Sequence, residues 1–114
     1  MFKRNTKLLL EDIIEAGNKI FNYIEGFDFD SFMMDERTKD AVIRNFEIIG
    51  EAANRVNNDF KKMHNNIQWA RLRGFRNRIV HEYFGIDFEL VWYIINNDLP
   101  KLMNELKILY NSIE

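Results

Sequence analysis

Apolar residues recur every three or four positions along most of this chain, the spacing of a helix with one buried face. The spacing predicts a first helix over about Lys3 to Glu25, with Leu9, Ile13, Ile20 and Ile24 turned inward. Gly26 is placed to end it. Phe27 to Met34 breaks the rhythm and reads as a phenylalanine-rich linker pinned to the core. A second helix is expected from about Asp35 to Asn57, its acidic start suiting the helix dipole. Asn58 to Gln68 reads as a polar connection. A third helix follows from about Trp69 to Phe84, with Gly85 after it. Asp87 can cap a fourth helix, which Pro100 should kink or split near Asn96 to Leu99. The expected fold is all-α: an up-and-down bundle of four to five helices in one domain, residues 1–114.

Composition narrows the function classes. A chain of 114 residues with 46% hydrophobic content can bury a core without disulfides or metal. It has no cysteine, which excludes thiolate metal sites. No apolar run approaches the roughly 18 residues of a membrane span. The run Leu8-Leu9-Leu10 behind a basic tip is too short for a signal peptide, so the expected location is cytoplasmic. Net charge is −2, which gives no global basic signal for nucleic acid. The charge is segregated, however. Glu11 to Glu36 carries eight acids against Lys19, whereas Phe60 to His81 carries six basic residues and no acid. Two complementary faces that help the bundle assemble would account for this pattern, and so would an anion site.

Candidate chemistry lies at the end of the basic stretch, in Arg76-Asn77-Arg78-Ile79-Val80-His81-Glu82-Tyr83. Arginine is always charged and histidine titrates near neutral pH, a pairing that suits phosphate chemistry. On a continuous helix Trp69, Leu72, Ile79, Val80 and Tyr83 share the inward sector, with Arg76 in its middle. An arginine there needs an anion, an interface or an ion pair, for which Glu47 or Glu51 would serve. His81 is turned about 140° from Arg76, on the face of Asn77 and near Gly74, where another backbone could approach. The two would converge across a cleft or in a symmetric dimer; a lone helix histidine is otherwise commonly structural. Tyr83 reads by default as a core-edge aromatic with a wet hydroxyl. Arg44, Glu47, Glu51 and Asn54 fall on one face of the second helix, either a solvated stripe or a wall of the same cleft. His64 has no matching ligands around it, so no metal site is expected.

The motif Arg76-x4-His81-x-Tyr83 resembles the signature of HepT-like toxins, all-helical members of the HEPN superfamily. The stretches Asp40 to Arg55, Arg73 to Asp87, Val91-Trp92 and Asn97 to Pro100 are similar to that family's second helix, active-site segment and last helix. The resemblance covers nearly the whole chain. It departs at Asn66-Ile67-Gln68-Trp69, where relatives commonly have a proline before the tryptophan. It implies a homodimer, or a higher hetero-oligomer with its antitoxin, with two copies of the motif facing one cleft. It further implies RNA cleavage without metal or cofactor. Carried over by position, Arg76 and His81 would be catalytic, with Asn77, Glu47 and Glu51 in support. Tyr83 would take AMP from a partner nucleotidyltransferase antitoxin, which silences the toxin. Two rivals stand beside this reading. One is a non-catalytic nucleotide- or substrate-binding subunit of a two-component nucleotidyltransferase. The other is a dimeric structural module in which Arg76 pairs with Glu47 or Glu51.

Overall fold

A computed structural model describes residues 2–81 and 85–113, with side chains described for 5–80 and 85–113. The first helix, α1 (Phe2–Ile24), buries Leu10, Ile13, Ala16 and Ile20, a three-and-four spacing that lays one stripe on the core. Leu9 and Ile24, expected in that stripe, lie half-buried at its edge. Gly26 follows with φ of 81°, a left-handed conformation that glycine adopts without a Cβ clash.

The segment read as a linker contains a short helix, α2 (Phe29–Met34). Asp28 and Ser31 cap it reciprocally: the Ser31 N–H donates to Asp28 Oδ1 at 2.8 Å and the Asp28 N–H donates to Ser31 Oγ at 3.0 Å. The cap fixes Phe32 in the core against Trp92, with ring centroids 5.0 Å apart. Helix α3 (Glu36–Arg55) starts on an Asp35 cap that accepts from the Thr38 N–H at 3.0 Å. It packs most extensively along α1.

The expected polar connection also holds a short helix, α4 (Asn58–Met63), capped by Asn57. Beyond it, the Trp69 indole N–H donates to the His64 carbonyl at 3.0 Å and ties the loop to the next element.

The third expected helix is not continuous. It breaks at Gly74 into α5 (Trp69–Arg73) and α6 (Phe75–Ile79). Gly74 sits at φ −88°, ψ 1°, outside helical geometry, and so closes one helix and opens the next. After Ile79 the chain turns extended. β1 (Val80–His81) pairs antiparallel with β2 (Gly85–Ile86), Val80 opposite Ile86 and His81 opposite Gly85. Gly85 therefore belongs to a strand, and the helix it was expected to end stops at Ile79. Branched Ile79 and Val80 favour the extended form, which supplies the physical reason for the early helix end.

Asp87 caps α7 (Phe88–Tyr93) as expected, accepting from the Leu90 N–H at 3.1 Å. The split before Pro100 takes the form of a wide π-helical turn over Ile94–Asp98, leading into α8 (Leu99–Ser112). Proline has no N–H for a helical bond and is tolerated only near a helix start, where it sits here. The side-chain amides of Asn96 and Asn97 donate back to the Trp92 and Tyr93 carbonyls across this turn. The result is an all-α up-and-down bundle with, among the described residues, one ribbon of two two-residue strands, and no described helix is long and apolar enough to cross a membrane.

Candidate functional site

The break at Gly74 decides where the basic residues point. It resets the helical phase, so Phe75 takes the inward position and packs edge-on against Phe46, centroids 5.1 Å apart. Arg76 is exposed, and so is Asn77. The expectation that Arg76 lies on the apolar stripe is thereby corrected. Among the described residues Arg76 forms no ion pair with Glu47 or Glu51.

Arg76 instead lines a groove of about 470 Å³ together with Arg44, Glu47, Gly50, Glu51, Asn54, Arg73 and Asn77. The stripe on α3 and the motif helix α6 thus form two walls of one open site. Arg73 completes it, a residue that the sequence reading left aside although it stands three positions before Arg76. Gly50 brings the walls together. A Cβ there would meet the Arg73 carbonyl oxygen at 3.2 Å, so the missing side chain lets α5 lie close on α3. At Gly74, where another backbone was expected to approach, a Cβ would meet the carbonyls of the preceding turn, Ala70 at 3.0 Å and Arg71 at 3.9 Å.

A second, more enclosed hollow of about 230 Å³ adjoins the groove, lined by Ile43, Phe46, Glu47, Arg76, Ile79, Val80 and Ile86. Arg76 and Glu47 border both spaces. A charged anchor beside an apolar slot is an arrangement that can hold a phosphate with its attached base.

His81 sits in β1, so the helical angle between it and Arg76 does not apply. Its backbone lies five residues beyond Arg76, held by the pairing with Gly85. The His81 side chain and all of Tyr83 lie outside the described residues.

The remaining basic residues divide into two groups. Arg78 Nη1 lies 3.0 Å from Asp98 Oδ2, and Arg71 Nη1 lies 3.7 Å from the same oxygen. Asp98 thus ties the α5–α6 segment to the π turn, a role without a local sequence signal because its partners are 20 and 27 residues away. Among the described residues Lys61 has no such acid within 4.0 Å. Burial and the nearby Arg73 guanidinium hold its amine below the ordinary value of 10.5. Among the described residues no three His, Cys, Asp or Glu side chains stand close enough to hold a metal ion.

A groove lined by three arginines beside an apolar slot, on an all-α bundle, defines the class: a small helical domain with an open polar groove on one side. Comparison with known proteins specifies it. The family model described as "Ribonuclease HepT-like" matches residues 13–109, and the chain belongs to this HepT-like ribonuclease family, an enzyme family of hydrolases. A Methanocaldococcus jannaschii protein with a provisional RNase name is 41% identical over 108 residues, 95% of this chain and 99% of that protein. A Thermococcus cleftensis protein named as a probable ribonuclease HepT is 39% identical over 105 residues, 92% of this chain and 96% of that protein. No solved structure gives a significant match.

Proposed function

We propose that this protein is the ribonuclease toxin of a toxin–antitoxin pair and cuts RNA at the groove between α3 and α6. The observation that carries the reading is Arg76, exposed in a groove with Arg73 and Asn77 and unpaired with Glu47 or Glu51. RNA supplies its own nucleophile, the 2′-hydroxyl. That oxygen attacks the adjacent phosphorus and the bond to the 5′-oxygen breaks, leaving a 2′,3′-cyclic phosphate and a 5′-hydroxyl end. His81 takes the proton from the 2′-hydroxyl or gives one to the leaving oxygen, roles that its pKa range suits. Arg76 stabilises the charge that grows on the phosphoryl oxygens. Asn77 donates a hydrogen bond, while Glu47 and Glu51 support the site as part of its α3 wall. No metal or cofactor is required by this chemistry.

The protein acts as one HEPN-like domain, residues 1–114, and works in the cytoplasm as a homodimer that sets two motifs across one cleft. A nucleotidyltransferase antitoxin silences it by adding AMP to Tyr83. The added phosphate brings negative charge that would compete with the substrate phosphate for the arginines.

The test is cleavage of mixed single-stranded RNA in EDTA by protein with an unmodified Tyr83, beside His81→Ala. Cleavage by the parent and not by the variant is expected. A folded parent that cuts nothing yet binds nucleotide would replace this reading with that of a binding subunit for a nucleotidyltransferase.

A further inference from the structure

The basic stretch holds more cation than one scissile phosphate needs. Of its six basic residues, Arg71 and Arg78 are turned toward Asp98. Arg76 belongs to the groove already described. Arg73, from α5, lines that groove as well, and Lys61 and the exposed Lys62 remain on α4; neither Lys61 nor Arg73 has a carboxylate within 4.0 Å among the described residues. Lys61 lines a separate open hollow of about 640 Å³ with Asn65, Ile67, Gln68, Trp69, Ala70 and Arg71. Helix α5 contributes to both spaces, Trp69 to Arg71 to this hollow and Arg73 to the Arg76 groove. It is five residues long, about 7 Å. The hollow is therefore one short helix away from the proposed cleavage groove. Its walls are built: Ile67 and Trp69 are buried, and the indole is tied to the His64 carbonyl.

We propose that Lys61, with Arg73 at the edge of the cleavage groove, forms a second RNA subsite, which grips a backbone phosphate next to the scissile one. The flanking nucleotide then lies over the hollow beside Asn65 and Gln68. Burial, and after it repulsion by the neighbouring Arg73 guanidinium, lowers the proton affinity of Lys61. An anion between them relieves that repulsion. A polymer with a charge at every residue serves this subsite and Arg76 in series, which a single small anion cannot do. The subsite rests on the reading that RNA is the substrate. It adds Lys61 and Arg73 as positioning residues and sets a minimum substrate length beyond the reacting dinucleotide.

The experiment is a salt titration of binding, followed by fluorescence anisotropy. The probe is an uncleavable 2′-O-methyl oligonucleotide of about 12 residues, within the usual range of single-strand site sizes. Parent, Lys61→Gln, Arg73→Gln, Lys61→Arg and Lys107→Gln are compared, Lys107 lying on the separate α1–α8 hollow. Lys61→Gln and Arg73→Gln should each weaken binding about fivefold and lower the log–log salt slope by about 0.7. Lys61→Arg should bind like the parent, and so should Lys107→Gln. The melting temperature of Lys61→Gln should not fall, because the change removes a repelled cation; a purely structural lysine would show a drop. Equal binding and equal salt slopes for parent, Lys61→Gln and Arg73→Gln would overturn the subsite, whether or not the parent cleaves RNA. Loss of binding in those two variants, with a parent that binds but never cleaves, would sustain the subsite and remove the ribonuclease reading.

Discussion

Removing the Asp98 carboxylate tests how the motif segment is held. The side chain is 16% exposed and its Oδ2 stands 3.0 Å from Arg78 Nη1 and 3.7 Å from Arg71 Nη1. A hydrogen bond to a charged group contributes about 1.5–3 kcal/mol when well buried. The two guanidiniums are 39% and 43% exposed, so solvent screening pulls the figure toward the surface range of about 0.2–1 kcal/mol per pair. Asp98→Ala should therefore cost about 1–2 kcal/mol, a fall in melting temperature of roughly 4–10 °C for a chain of this size. Urea unfolding of Asp98→Ala, Arg78→Ala and the double variant isolates the shared part, which should be about 1 kcal/mol. The weaker Arg71 contact should vanish in about 1 M salt, where the Debye length is about 3 Å. A coupling below about 0.3 kcal/mol at low salt would refute the tether. Asp98 would then be a solvated acid, and the position of α6 would rest on Phe75 and Ile79 alone.

Two further outcomes follow from the geometry. Gly50→Ala gains about 1 kcal/mol of helix propensity but drives a Cβ to 3.2 Å from the Arg73 carbonyl, an overlap that costs about 1–3 kcal/mol. Stability by urea titration should change by less than about 2 kcal/mol, while RNA cleavage falls more steeply because the groove walls move apart; unchanged cleavage would show that Gly50 does not set the groove. The Asp28 carboxyl is held below its ordinary value of 3.8, first by the Ser31 backbone N–H and then by the Ser31 hydroxyl. Its stabilising contribution is present above 3.8 and is lost as pH falls through the lowered value, so the acid melting curve of Asp28→Asn should be flatter there than that of the parent.

The long elements were legible in the sequence because packing and periodicity agree in them. The stripe of α1, the acidic start of α3, the Asp87 cap and the split before Pro100 all follow from side-chain chemistry alone, although Asp35 caps α3 rather than lying inside it. Helix α2 was not, because Phe27-Asp28-Phe29-Asp30 alternates like a strand; the cap spacing from Asp28 to Ser31 was the available signal. The break at Gly74 was the consequential miss. A single glycine inside a helical pattern is often tolerated, and a continuous wheel then puts Arg76 inside. The branched pair Ile79-Val80 pointed to the extended end, and Phe75 competed with Arg76 for the inward position. The composition of the groove was half legible. The stripe from Arg44 to Asn54 and the cation of Arg76 were visible, but their meeting depends on Gly50 and on Asp98, whose partners are distant in sequence.

The central claim is metal-independent cleavage of RNA by attack of its own 2′-hydroxyl, with Arg76 and His81 as the working groups. The most direct test is a DNA strand carrying a single ribonucleotide, incubated in EDTA with the parent, Arg76→Ala and His81→Ala. The account predicts one cut, at that ribonucleotide, by the parent alone, leaving a 2′,3′-cyclic phosphate by mass. It also predicts that Arg76→Ala unfolds within about 0.5 kcal/mol of the parent, as befits an exposed residue. Cuts at deoxyribonucleotides, cleavage that EDTA abolishes, or full activity in either variant would contradict it.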